Sequence, residues 1–166
     1  SDLANVLGNL VHRTISMGQK YFVGVITNKN VLESIDDEFI SKIHDLDSKV
    51  EKKMDNLEIS DAVTEIFNVL RASNKYIDET MPWALAKDEA KRDRLETVLY
   101  NLLESIRVCG IFLSPYLPDT SSEISKQINN NIDIQNYVDD NLYEVGNASP
   151  LFARIDKEKM LEELNK

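Results

Sequence analysis

The sequence has little of what disulfide-rich, turn-rich or membrane-spanning proteins require. Its 166 residues include one cysteine, five glycines and four prolines, so an internal disulfide is impossible and turn-rich β folds fit poorly. No apolar run reaches the roughly 18 residues of a membrane span. The N-terminus lacks the basic start and apolar block of a secretion signal. We therefore expect one globular domain over residues 1–166, in a reducing compartment and without a membrane partner.

The residue patterns of catalytic and metal sites are also missing. There is no glycine-rich phosphate loop of the GxGxxG or GxxxxGK[ST] type. His12 and His44 belong to no metal-ligand pattern, and Cys109 lies in an apolar helical stretch that favours a buried structural thiol over a nucleophile. The acids of residues 36–58 alternate with lysines, as on a solvated helix face. The sequence thus predicts no catalytic residue and no metal site.

Charge is unevenly distributed along the chain. The net charge of −10 argues at first against a partner held by phosphate contacts. The acidity is concentrated in residues 31–70 and 116–166, whereas residues 1–30 and 71–115 are neutral or slightly basic. A surface built from these two less acidic segments would not repel a polyanion.

The apolar residues recur with a helical period almost throughout, which predicts an all-α antiparallel bundle of about five helices. The fourth helix is the most apolar, and we expect it at the centre of the core. Pro82 is expected to end or kink the third helix because it lacks an amide donor. No strand is predicted beyond isolated triplets. The predicted segments are helices at about 2–25, 36–54, 60–79, 89–113 and 120–130, an irregular stretch at 131–155, and a short charged helix at 156–164.

Three polar side chains form a row along the first predicted helix. Asn5, Asn9 and Arg13 are spaced i, i+4 and i+8, which places them on the side away from the apolar stripe. An asparagine amide both donates and accepts hydrogen bonds, and arginine offers a rigid fan of donors. Such a row can read the edges of unpaired bases. The alternative is an ordinary solvated helix face, although asparagine is a poor helix former there.

The only tryptophan, Trp83, directly follows Pro82. An aromatic face near basic residues, here Arg71, Lys75 and Lys87, can serve as a platform on which a base stacks. The alternative is a core tryptophan that pins the kink at the proline. The residue types alone leave both possibilities open.

Taken together, three stretches resemble the C-terminal anticodon-binding domain of bacterial methionyl-tRNA synthetases. They are DLANVLGNLVHR at residues 2–13, NKYIDETMPW at residues 74–83 and PLFARI at residues 150–155. The third departs from the family at Ala153, where proline is frequent. The resemblance covers nearly the whole chain. It implies an α-helical bundle of the class I synthetase anticodon-binding type.

The resemblance also implies partners and a location. The domain would bind the CAU anticodon loop of methionine tRNA in the cytoplasm, without binding DNA. ATP and methionine would bind a separate catalytic domain of the parent enzyme. The signatures of that domain are absent here, so the chain looks like an excised, non-catalytic fragment without a cofactor of its own.

The family's anticodon readers can be carried over where residues match. Trp83 would stack on the first anticodon base, a cytosine, with Pro82 holding its orientation. The other matching residues form hydrogen bonds or select against wrong anticodons. Asn9 and Arg13 would bond to the cytosine or its neighbours, and Asn5 would serve adjoining nucleotides. The carboxylate of Asp78 would disfavour wrong anticodons by repelling phosphate or an acceptor edge.

Two other functions remain open. One is the equivalent domain of a related class I synthetase, for leucine, valine or cysteine. The other is a helical protein-interaction bundle without an RNA role, which is favoured by the pI of 4.7 and the polar helix at 36–54. The position of Trp83 discriminates: we expect it accessible and near Arg13 in an RNA reader, and buried in a scaffold.

Overall fold

Helices form most of the chain. The computed structural model describes residues 2–128, 142–146 and 164, with side chains from residue 5 onward. Within them lie five long helices, one four-residue helix, a short 3-10 turn at Glu89–Lys91 and two three-residue strands, which confirms the all-α prediction. The helices are α1 (Asp2–Phe22), α2 (Ser34–Asp55), α3 (Ile59–Thr80), α4 (Pro82–Leu85), α5 (Arg92–Leu113) and α6 (Pro118–Ile128), and the strands are β1 (Val25–Thr27) and β2 (Leu142–Glu144).

Helix α5 is the centre of the core, as its apolar composition predicts. Its side chains are buried on nearly all sides, and α3 packs along it in the opposite direction. The hydroxyl oxygens of Ser73 on α3 and Ser105 on α5 lie 3.0 Å apart in this interface. Cys109 is fully buried, and burial raises the pKa of its thiol well above the usual value. The expectation that the thiol is buried is confirmed.

The end of α3 is set by Pro82. The helix stops at Thr80, and Met81 adopts a left-handed backbone conformation with φ of 48° while its amide still bonds to the carbonyl of Ile77. Proline disfavours a helical conformation in the residue before it and cannot donate to the preceding turn. At the first position of a new helix the missing N–H costs nothing, so the chain restarts there as α4.

The two strands correct the sequence prediction. Residues 25–27 extend where the first predicted helix ends, and residues 142–144 extend within the stretch predicted to be irregular; the two pair antiparallel, with Ile26 opposite Tyr143. Gly24, with φ of 86°, lets the chain leave α1. The remainder of the predicted irregular stretch, the PLFARI motif and the predicted helix at 156–164 lie outside the described residues, apart from Leu164.

A buried polar cluster joins α2, α3 and α5. The Arg94 guanidinium binds both carboxylate oxygens of Asp36, with 3.1 Å between Nη2 and Oδ1. The Tyr76 hydroxyl donates to the same Oδ1 at 2.6 Å and accepts a hydrogen bond from Asn101 at 3.2 Å. The Glu33 amide donates to the other carboxylate oxygen at 2.9 Å. These contacts give both oxygens of the buried Asp36 carboxylate hydrogen-bond donors, and they fix α3 relative to α2 and α5.

Candidate nucleic-acid interface

An open groove lies between α1 and α3. Six residues line this α1–α3 groove: Asn5, Val6, Asn9 and Arg13 from α1, and Arg71 and Asn74 from α3. The Asn74 amide nitrogen lies 3.4 Å from the Val6 carbonyl and 3.3 Å from the Leu70 carbonyl, so it ties the two helices together. Asn5 and Asn9 are exposed, and Arg13 is half-buried. The polar row therefore forms one wall of a groove, and does not simply face open solvent.

An ion pair connects the two sequence motifs. Nη2 of Arg13 lies 3.5 Å from Oδ1 of Asp78, and the two side chains are 41% and 69% exposed. Exposed pairs of this kind contribute between zero and about 1 kcal/mol, because water screens them. Arg13 can therefore exchange Asp78 for a ligand at little cost in free energy.

Trp83 is presented to solvent by the short helix α4. The residue is 43% exposed, whereas Pro82 beside it is buried. The Met81 carbonyl accepts a hydrogen bond from the Ala84 amide at 2.9 Å, which fixes the turn around the indole. Trp83 is thus not a core residue pinning the kink. It follows the end of α3 that carries Asp78, whose carboxylate contacts Arg13.

The basic residues near Trp83 are arranged differently from the sequence expectation. The Arg71 guanidinium lies over the Phe67 ring, 4.9 Å from its centre, and lines the α1–α3 groove. Lys75 pairs with Glu79 one turn along the same helix, at 3.4 Å, on the side of α3 that faces α2, so it does not line the α1–α3 groove. Sequence reasoning assigned Arg71 to the tryptophan platform and missed its place in the groove. The sequence held part of the signal, because Arg71 and Asp78 are seven residues apart and so share one helix face, but it did not show that this face packs toward α1.

In the part of the chain that the structure describes, no group of three or more His, Cys, Asp and Glu side chains could hold a metal ion. No described helix is long and apolar enough to cross a membrane. The α1–α3 groove brings together polar side chains from two helices, and α4, which directly follows α3, exposes Trp83.

Comparison with known families identifies the class of protein. The family described as "Anticodon-binding domain of tRNA ligase" matches residues 36–165, and the chain belongs to this family. Two curated relatives narrow the class further, and both are named methionine–tRNA ligase. The one from Caldanaerobacter subterraneus subsp. tengcongensis is 46% identical over all of this chain and 27% of its own length. The one from Clostridium tetani is 45% identical over 99% of this chain and 26% of its own length.

Solved structures similar to this chain are also methionyl-tRNA synthetases. The apo form of Mycobacterium tuberculosis methionyl-tRNA synthetase matches with a TM-score of 0.82 and 25% identity, over 93% of this chain and 32% of that one. The form bound by methionyl-adenylate matches with a TM-score of 0.84 and 26% identity, over 92% of this chain and 32% of that one. The resemblance to the anticodon-binding domain of methionyl-tRNA synthetases is confirmed, and the chain spans about a quarter to a third of these relatives.

Proposed function

We propose that this chain binds the anticodon loop of methionine tRNA and reads its CAU triplet as part of a methionine–tRNA ligase. The main support for this proposal is the contact between Arg13 and Asp78. It brings the polar row of α1 and the acidic end of α3 together, next to the helix that exposes Trp83. The relatives named above are methionine–tRNA ligases, which favours this assignment over the leucine, valine or cysteine enzymes.

Affinity and identity come from different residues. Trp83, oriented by Pro82, stacks on the unpaired cytosine, an interaction worth about 1–3 kcal/mol for any base. Cytosine presents two acceptors and one amino donor on its pairing edge. Arg13 donates to the acceptors, and Asn9 can serve either kind of group. Asn5, one turn earlier on α1, serves the adjoining nucleotides. Stacking thus supplies binding, while the polar row supplies selectivity.

Asp78 has two effects in this scheme. Without RNA, it holds the Arg13 guanidinium at the end of the groove. When a base replaces it as a partner of Arg13, its carboxylate stays close and repels any acceptor or phosphate that comes in place of a donor. A cytosine amino group satisfies this carboxylate, and a carbonyl oxygen at that position does not.

The rest of the ligase reaction is assigned to other parts of the enzyme. ATP and methionine bind the parent's catalytic domain, so this chain binds tRNA and contributes no catalytic residue. Its partners are methionine tRNA and that catalytic domain, in the cytoplasm. Support comes from the relatives, which extend well beyond the matched region.

The proposal is tested with a CAU anticodon stem-loop and a GAU stem-loop at one salt concentration. Trp83 is the only tryptophan, so its fluorescence reports directly on the proposed stacking position. We expect the CAU loop to quench the emission saturably and the GAU loop to do so only at much higher concentration. Equal responses to both loops, or none to either, would leave a protein-interaction bundle as the better assignment.

Arg13→Gln should relax discrimination more than it lowers general affinity. Removing the guanidinium leaves an acceptor of the bound cytosine unpaired, at a cost of about 1–3 kcal/mol, whereas the GAU loop has no such bond to lose. The CAU preference should therefore fall about tenfold. Lys42→Gln removes the same charge from α2, where Lys42 pairs with Glu38, and should change neither affinity. If both variants weaken both loops alike, Arg13 acts only through charge.

A further inference from the structure

Arg71 occupies the wall of the α1–α3 groove opposite the polar row. Its side chain is exposed, and its guanidinium lies over the Phe67 ring. Among the described residues, no carboxylate lies within ion-pair distance of it, whereas Arg13 and Lys75 both have an acidic partner there. Stacking covers one face of a guanidinium and leaves the N–H groups at its edge able to donate. Arg71 is thus a pre-oriented cation available to an anion in the groove.

The charged residues of α3 make the two ends of the α1–α3 groove different, with Arg71 toward one end and Asp78 toward the other. Arg71 and Asp78 share a helix face and are separated by about 10 Å along the axis. The exposed Asp78 carboxylate disfavours a phosphate at its end, whereas the Arg71 guanidinium favours one at the other. An RNA strand in the groove therefore places its phosphate near Arg71 and its base edges near Arg13.

We propose that Arg71 binds a backbone phosphate of the RNA and so positions the strand along the α1–α3 groove. This inference rests on the proposed function and adds to it a residue that reads no base. Phosphate contacts fix register and orientation but carry no sequence information, while base-edge contacts specify. Arg71 and Arg13 should therefore behave differently in binding experiments, although both are arginines lining one groove.

The test compares Arg71→Gln with the unaltered chain, using dye-labelled CAU and GAU stem-loops and fluorescence anisotropy at several KCl concentrations. A charged hydrogen bond to phosphate is lost in the variant, so we expect both affinities to fall about tenfold, with the CAU preference unchanged. The slope of log affinity against log salt should become shallower by about 0.7, the value for one phosphate contact on a single strand. Arg71→Lys should keep the slope.

Lys75→Gln is the matched control, because it removes the same charge one turn further along α3 from a residue already paired with Glu79. It should leave affinity and salt slope unchanged, and thermal unfolding should show all variants equally folded. An equal loss in Arg71→Gln and Lys75→Gln would overturn the inference, since the effect would then be long-range charge. So would a change in the CAU preference, or an unaltered slope, in Arg71→Gln.

Different results would contradict the anticodon-reading function and the phosphate contact of Arg71. If the unaltered chain binds CAU in preference to GAU and Arg71→Gln binds like it, only the phosphate contact is wrong. If the unaltered chain shows no preference for CAU, the anticodon-reading function is wrong, and the inference that rests on it falls as well.

Discussion

Asp36→Ala is expected to lower the free energy of unfolding by about 3–5 kcal/mol, because it leaves the Arg94 guanidinium without its buried partner. The Arg94 side chain is 7% exposed, and the Asp36 side chain is fully buried. The substitution also removes the acceptor of the Tyr76 hydroxyl and of the Glu33 amide. Each buried donor left without an acceptor adds to the cost. Urea denaturation followed by circular dichroism measures the loss.

Asp37→Ala is the matched control, since it makes the same change at the next residue, which is exposed in the first turn of α2. Surface substitutions of this kind usually stay within about 0.5 kcal/mol. Similar unfolding midpoints for the two variants would show that the buried pair contributes little to stability. The RNA affinity of folded Asp36→Ala should be unchanged, because Asp36 does not line the α1–α3 groove.

The same pair predicts how stability depends on pH. Burial acts to raise the pKa of Asp36, but hydrogen bonds from Arg94, Tyr76 and the Glu33 amide outweigh it and hold the pKa below its usual value of 3.8. A carboxyl group with a lowered folded-state pKa stabilises the fold above its unfolded-state pKa and loses that contribution as pH falls toward the folded one. Unfolding free energy should therefore decrease below about pH 4, and less steeply in Asp36→Ala.

Local signals were sufficient to predict the long helices. Apolar spacing and the proline predict a helix at 60–79, and α3 is found at Ile59–Thr80. The predicted helix at 89–113 begins instead as a 3-10 turn, in which the Asp88 side chain accepts a hydrogen bond from the Ala90 amide at 3.0 Å. Each of these features depends on residues within a few positions of one another, so a single sequence carries the signal.

Features that depend on distant residues could not be predicted in the same way. The pairing of β1 with β2 needs two triplets from nearly opposite ends of the chain, and three residues are too few to show a strand period. Arg71 precedes the tryptophan motif by three residues and shares a helix face with Asp78, but only the packing of α3 on α1 turns that face toward the groove. The exposure of Trp83 likewise depends on the direction in which α4 leaves α3.

Trp83→Ala is expected to weaken binding of the CAU stem-loop about tenfold or more, because a stacked base contributes about 1–3 kcal/mol. The GAU loop should lose a similar factor, since stacking does not depend on base identity. The measurement is anisotropy of a labelled stem-loop, which does not need the tryptophan as a reporter. Trp83→Phe keeps an aromatic face and should recover most of the affinity.

The half-exposed indole separates this effect from a loss of folding. Because Trp83 is already 43% exposed to solvent, removal of the ring should cost about 1 kcal/mol of stability or less. Leu57→Ala removes another exposed apolar side chain, in the connection between α2 and α3, and should leave RNA binding intact. A collapse of the unfolding midpoint in Trp83→Ala would assign the ring to packing. A stable variant that binds normally would remove Trp83 from the interface, and base recognition would then depend on the groove alone.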